Sequence, residues 1–304
     1  MPQEQEEIVY SDTQGERLDV FISKKFGFSR SFFANLLENW FVLVNQQNKK
    51  KSYKLKPNDK ILVKNFSKIF SKDILDEASY KELDVLIDKK DYLVVNKPKG
   101  VVSHPTSVWD MWTPSVASFV YHKYNDIPLV DDVTRPGIVH RLDKETSWPM
   151  IVAKTYKGYD YFKNLFKKKS NEYYSGENSS FLKKFYEAEV LLDSKCSGVF
   201  IQEKLPFFIE EDVVPRTPCS YVKKWVTKVN NVLNLYDNVF KIQMELITGR
   251  THQARYHLSN NWAYILGDYL YWNKTSVSLS SELKLKCNKL EFQDLYGECI
   301  TLEV

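Results

Sequence analysis

Glycine is scarce in this chain. Ten glycines in 304 residues is about 3%, against a usual share near 7%. Cysteine is scarcer: Cys196, Cys219, Cys287 and Cys299 show no C-x-x-C spacing, so neither a disulfide framework nor a zinc site is signalled. No apolar run reaches the length of a membrane span. The opening MPQEQEEIVYSDTQ is acidic and polar, without the apolar segment of a secretory signal. A non-exported chain in a reducing, cytoplasmic setting is therefore expected. No G-x-x-x-x-G-K or G-x-G-x-x-G loop occurs, so ATP and NAD are not implied. Neither sign of charge dominates, the formal net charge being +4. Lysines nevertheless cluster at Lys49 to Lys51 and Lys167 to Lys169, either as solvated surface or as the footprint of a polyanion.

What is present reads as globular. The chain is 43% apolar and 27% charged, and it is long enough for one large domain and a smaller one. After an extension over residues 1–15, GERLDVFISKKF places Leu18, Phe21, Ile22 and Phe26 on one helical face, and SRSFFANLLENW follows as a second helix. FVLVN and DKILVKN alternate as short strands, with KPND as the turn before the second. Together residues 16–64 form a small α/β module with a basic surface. Residues 65–82 lack periodicity and read as a linker. From 83 to 304 apolar strands mix with amphipathic helices, an α+β pattern. LDVLIDKKDYLVVNKP reads as two strands around a tight polar turn, KTYKGYDYFKNLFKK as a helix, and residues 167–180 as a mobile surface loop.

Four stretches carry candidate chemistry: LVVNKPKGVVSHP (93–105), RPGIVHRLDKETS (135–147), KFYEAEV (184–190) and TGRTHQARYHL (248–258). Asp143 lies between the apolar pair Ile138 and Val139 and a polar turn, which would hold its carboxylate at a strand end in a cleft. To act as nucleophile or base it must stay ionised, and a neighbouring guanidinium would favour that; Arg255 is the candidate partner. The bland reading of Asp143 is a capping or ion-paired turn aspartate, and that of Arg141 is a surface residue paired with Glu145. Lys97 reads as fold-supporting or phosphate-facing. His140, His252 and His257 have no accompanying carboxylate or cysteine cluster, so no metal site is expected.

In order and spacing these four stretches resemble the RluA-type pseudouridine synthases, whose pattern runs N-K-P-x-G, H-R-L-D-[KR]-x-T-S-G, K-x-Y-x-A and G-R-T-H-Q-[IL]-R-x-H. The module at 16–64 resembles an S4 RNA-binding domain through R-L-D, S-R-S, V-x-V-N and Y-K-L-K-P-x-D. The resemblance implies a mixed α+β domain with a largely antiparallel sheet over 83–304 and a cofactor-free isomerisation of uridine in structured RNA, ribosomal RNA of the large subunit first and transfer RNA second, by a monomer without membrane attachment. It implies that Asp143 is the catalytic aspartate, with Tyr186 packed on the uracil and Arg255 beside the carboxylate. Arg141 fills the stack left by an extruded base. His140, Arg250 and His252 join Arg141 in substrate binding, and Arg30, Lys49, Lys50 and Lys51 meet RNA phosphates. Whether Asp143 attacks the sugar or removes a sugar proton stays open. A protein that keeps the fold and binds RNA without turnover also stays open.

One departure recurs. Tryptophan stands where the patterns have glycine at Trp40, Trp148, Trp262 and Trp272, and more loosely at Trp112; Trp109 and Trp225 have no such place. Counting the seven tryptophans with the glycines would bring the share to about 6%, near the usual value. That is the outcome when UGA codons read as glycine in the cell are written as tryptophan. The alternative is a diverged enzyme whose loops have repacked around aromatics. Pro149 is explained by neither.

Overall fold

A computed structural model describes residues 5–12, 15–26, 30–64, 80–105, 113–124, 127–128, 135–175, 181–196, 205–213 and 223–303. The expected linker lies almost wholly outside the described residues, as do Trp109, Trp112 and Cys219. The chain divides into two compact units, one of residues 1–82, 102–138 and 153–155, the other of 83–101, 139–152 and 156–304. Residues 102–138, read from sequence as part of the large domain, thus group with the N-terminal unit.

In the first unit, helices α1 (Leu18–Phe26) and α2 (Arg30–Glu38) accompany a sheet of β1 (Gln5–Val9), β2 (Val42–Val44) and β3 (Lys60–Lys64). Both helices and β2 and β3 fall where the periodicity predicts. Strand β1 does not: the acidic stretch read as an extension pairs antiparallel with β3, from Gln5 opposite Lys64 to Val9 opposite Lys60. Its period is hidden because the cross-strand partners, not its own residues, supply the apolar face. The core gathers Leu18 and Ile22 of α1, Phe33, Leu36 and Leu37 of α2, and Val42, Val44, Ile61 and Val63 of the strands. Asp19 is buried there and neutralised by Arg17 at 3.0 Å and Arg30 at 2.7 Å. Helix α3 (Val116–Lys123) opens on a reciprocal Ser115 and Ser118 capping box.

The second unit carries the candidate chemistry. Strands β4 (Asp84–Asp88), β5 (Tyr92–Lys97) and β6 (Trp148–Ala153) form a three-stranded sheet in that order. Helix α4 (Tyr156–Ser175) follows. A larger sheet combines β7 (Leu182–Leu192), β8 (Phe207–Val213), β9 (Lys223–Tyr236), β10 (Val239–Leu246), β11 (Ala263–Ile265), β12 (Leu285–Gln293) and β13 (Cys299–Glu303). Its order is β13-β12-β7-β10-β9-β8, with β11 also on β7, and its pairings are antiparallel. Helices α5 (Gln253–Asn260) and α6 (Lys274–Ser278) complete the unit. The fold is therefore mixed α and β with antiparallel sheets, as the resemblance implies.

Helix α4 corrects one expectation. Residues 167–175, read as a loop, are its last turns. Phe162, Phe166 and Lys169 follow the helical spacing, so Lys169 falls on the inward face and is buried against Glu245 at 3.0 Å. A run of three lysines conceals this, because only the partner makes the middle of a polar stretch a core position.

The tryptophans sort by backbone. Trp40 has φ 64°, Trp262 φ 60° and Trp148 φ 147°, all in the region that favours glycine. Trp272 does not, so its glycine reading loses the conformational argument. Trp40 and Trp262 are exposed, whereas Trp148 is buried and its indole Nε1 has no hydrogen-bond partner among the described residues.

Candidate active site

Asp143 stands in the loop that leads into β6, and that loop is pinned from several sides. The Thr146 amide donates to the Asp143 carbonyl at 3.0 Å, and the Gly100 amide to the Lys144 carbonyl at 3.0 Å. Lys97 is fully buried, and its ammonium donates to three carbonyls: Val101 at 2.7 Å, Pro98 at 3.1 Å and Lys144 at 3.1 Å. Its three donors are thus all used, and burial lowers its pKa to about 8 even though Glu145 and Asp143 pull the other way. Lys97 is a staple between the 98–101 turn and the Asp143 loop. Of the two roles sequence left open for it, the hydrogen bonds favour support of the fold.

His140 positions the other end of the loop. Its Nε2 accepts from the Ile151 amide at 3.0 Å, and its ring stacks on Phe166 at 4.6 Å. An acceptor Nε2 places the proton on Nδ1, and burial with Lys184 nearby pushes the ring's pKa down to about 3. His140 is therefore neutral, and its contacts tie the loop to β6 and α4.

Asp143 itself is largely sheltered, with side-chain exposure of 17%, and its Oδ2 lies 3.9 Å from His252 Nε2. It borders a cavity of about 230 Å³ that is also lined by Arg141, Lys184, Tyr186, Arg250 and Arg255. A wider groove of about 640 Å³ meets the carboxylate with His252, Arg255, Tyr269 and Leu270. Asp143, His252 and Arg255 border both, so the carboxylate stands where an extended ligand could enter one space and leave a bulky remainder in the other. Arg141 is exposed and forms no ion pair with Glu145 among the described residues. Arg250 is exposed at the rim.

The proposed partnership of Arg255 and Asp143 takes a different form. Arg255 donates in bidentate fashion to Asp268, at 2.7 Å from Nε and 2.6 Å from Nη2, and Asp268 also accepts from the Leu270 and Tyr271 amides. Burial opposes the charge on Arg255, but Asp268 and then Asp143 outweigh it and raise the pKa. The guanidinium thus acts on Asp143 through space while its hydrogen bonds hold α5 to the 268–271 turn. Local pattern could not reveal this, because Asp268 lies outside the motif that supplies the arginine.

Tyr186 lies on β7 opposite Cys287 of β12 and Met244 of β10. It is buried, and burial, Cys287 and Asp143 raise its pKa well above the usual value. At neutral pH it is a phenol, suited to serve as a platform and hydrogen-bond donor rather than as a resting base.

Gln253 was not singled out from sequence, yet it organises the T-G-R-T-H-Q turn. Its Oε1 accepts from Thr248 Oγ1 at 2.7 Å and from the Arg250 amide at 3.2 Å, and its Nε2 donates to the Val226 carbonyl at 2.9 Å and to Thr227 Oγ1 at 3.1 Å. His257 Nδ1 lies 2.9 Å from the same Thr227 hydroxyl. The motif's invariant-looking amide was the available signal. Among the described residues no group of three or more His, Cys, Asp or Glu could hold a metal ion, and no helix is long and apolar enough to cross a membrane.

The family pattern described as RNA pseudouridylate synthase matches residues 91–260, a span that contains Asp143, Tyr186 and Arg255. The ribosomal large subunit pseudouridine synthase D of Buchnera aphidicola subsp. Acyrthosiphon pisum is 34% identical over 266 residues, covering 84% of this chain and 76% of the relative. The protein of the same name from Salmonella typhimurium is 30% identical over 296 residues, covering 95% and 83%. Among solved structures, human RNA pseudouridylate synthase domain containing 1 superposes with a TM-score of 0.51 at 20% identity, over 75% of this chain and 84% of that one, a likeness of fold. With the family pattern spanning more than half of it, the chain belongs to the RNA pseudouridylate synthase family.

Proposed function

We propose that this chain converts uridine to pseudouridine in structured RNA, with large-subunit ribosomal RNA as the first substrate class and Asp143 as the catalytic carboxylate. The observation that carries the reading is the sheltered Asp143 carboxylate at the junction of a cationic cavity and an open groove. The relatives named for the large ribosomal subunit support the choice of RNA; transfer RNA is the second class.

A uridine in folded RNA must leave its stack before a protein carboxylate can reach its sugar, at a cost of a few kcal/mol. Arg141, exposed beside the cavity, takes the place of the extruded base, and Arg250 and His252 hold the backbone at the rim. The uracil enters over Tyr186. Asp143 acts at the sugar, the C1′ to N1 bond breaks, the base turns, and C5 joins C1′. The C5 proton is lost and N1 gains one, so uridine and product are isomers and no cofactor is consumed. Arg255 keeps Asp143 in a positive field. Arg30 and Lys49 to Lys51 of the first unit contact RNA phosphates in the manner of an S4 domain. Lys49 to Lys51 border a surface concavity of about 470 Å³ with Ala34 and Glu38, and Arg30 is half exposed although ion-paired to Asp19.

The alternative, a protein that binds RNA without turnover, is favoured by one feature, the strained and buried Trp148 five residues after Asp143. Incubation of the protein and its Asp143→Ala and Trp148→Gly variants with unmodified ribosomal RNA, followed by chemical mapping of pseudouridine, separates the two. The expected result is product from the parent or from Trp148→Gly, and none from Asp143→Ala with RNA binding retained. Absence of product from every form would leave binding alone.

A further inference from the structure

Lys184 is a buried cation that the reading above does not use. It lies two residues before Tyr186 on β7, where Leu182, Lys184, Tyr186, Ala188 and Val190 share the inward face. Its ammonium abuts the 248–252 turn so closely that a Cβ at Gly249 would stand 3.0 Å from Nζ, and it lies 5.7 Å from the centre of the Phe166 ring. Lys169, the other lysine of the cavity, is neutralised by Glu245. The Lys184 ammonium forms no ion pair and no hydrogen bond with any described residue. Cys287 of β12, opposite Tyr186, lies near it, and burial pushes that thiol up to about 12, so it supplies no counter-charge at neutral pH. Burial and Lys169 lower the pKa of Lys184 to about 8, so the ammonium form still predominates at neutral pH.

The remaining charged groups around the cavity are Asp143, Arg141, Arg250 and Arg255, with His140 and His252. Asp143 is close enough to Tyr186 to raise its pKa. Lys184 and Tyr186 stand side by side on the inward face of β7, about 6.5 Å apart along the strand, and line the same cavity as Asp143. A buried cation without a partner costs free energy unless a ligand supplies the acceptor.

We propose that Lys184 is a catalytic and specificity-determining residue, whose ammonium donates to the C4 carbonyl oxygen of the flipped uracil. This rests on the Asp143 reading. With the sugar at Asp143 and the ring over Tyr186, the edge opposite N1 faces Lys184. An ammonium has donors and no acceptor; it accepts a carbonyl at C4 and rejects the amino group of cytosine. When the C1′ to N1 bond breaks, its electron pair stays on the base, and the anion spreads over N1, O2 and O4. The bond to O4 therefore strengthens as charge develops, which lowers the barrier.

The test uses the full chain and unmodified large-subunit ribosomal RNA transcribed in vitro, with single-turnover pseudouridine formation, RNA affinity and urea midpoint measured in parallel. Lys184→Met keeps the length of the side chain without its charge. We expect it to fold with an undiminished midpoint and to bind RNA as the parent does. Its single-turnover rate should fall by about 100-fold, as for loss of one oxyanion donor. Lys184→Gln, which keeps an N–H donor, should lie between the two. A folded Lys184→Met protein as fast as the parent overturns the assignment. So does a loss of rate matched by loss of stability or RNA binding in both variants, which would mark Lys184 as structural. A parent that makes no pseudouridine, alone or as Trp148→Gly, instead overturns the reading of the site itself.

Discussion

Trp148 shows how a single backbone angle tests a statement about a codon. A φ of 147° in a residue with a Cβ costs about 1–3 kcal/mol, and a buried indole N–H without an acceptor costs about 1–3 kcal/mol more. Emptying a site that had evolved around an indole would instead cost about 3–5 kcal/mol. The sign of the change in Trp148→Gly therefore distinguishes the two histories. We predict that the variant is more stable than the parent by about 2 kcal/mol, read as a higher urea midpoint at unchanged slope. A loss of stability would show that the indole belongs. Trp40 and Trp262 bear only the backbone strain, since their rings are exposed, and smaller gains are expected there. UGG at codons 40, 148 and 262 would end the glycine reading independently of any stability measurement.

At the scale of elements, the site depends on how closely α4 and α5 approach the sheets. Gly158 in the first turn of α4 leaves no room for a side chain: a Cβ would lie 2.2 Å from the Asp91 carbonyl oxygen in the turn between β4 and β5. Gly158→Ala must therefore lift the helix from that turn, and we predict a loss of about 1–3 kcal/mol on chemical unfolding. The rate should fall as well, because Phe166 and Lys169 of the same helix line the cavity. An alanine variant as stable as the parent would mean that the helix does not seat as described. Helix α5 is held by polar rather than apolar closeness in its first turn, through Gln253 with Thr248 and Thr227 and through Arg255 with Asp268. All of these groups are hydrogen-bonded, which is the condition for burying them at modest cost.

For the molecule as a whole, two histidines set a pH dependence. Burial lowers the pKa of His140 to about 3 and that of His257 to about 4, from 6.5 in the unfolded chain. Between 6.5 and these values the unfolded state binds protons that the folded state does not, so stability falls as pH falls through that window and is regained as pH rises. The lowered carboxyls of Asp19, Asp59 and Asp268 act in the same direction, but only below their ordinary value of 3.8. We predict a lower urea midpoint at about pH 4.5 than at about pH 7.5, with two imidazoles that stay mostly neutral by NMR over that range. Equal midpoints, or titration of all five histidines near 6.5, would contradict the burial of these rings.

The sequence by itself determined the order of helices and strands around the four motifs and singled out Asp143, because periodicity and motif spacing are local properties carried by neighbouring residues. It also exposed the glycine deficit that made the tryptophans worth questioning. Tertiary structure alone decided which charges meet. Arg255 pairs with Asp268, Lys169 of a supposed loop lies buried against Glu245, Lys97 closes three carbonyls around the Asp143 loop, and the Lys184 ammonium is left without an ion pair among the described residues. Desolvation and ion pairing depend on what the fold brings within a few ångströms, across separations such as the 76 residues between Lys169 and Glu245, and no local pattern of residues records that distance.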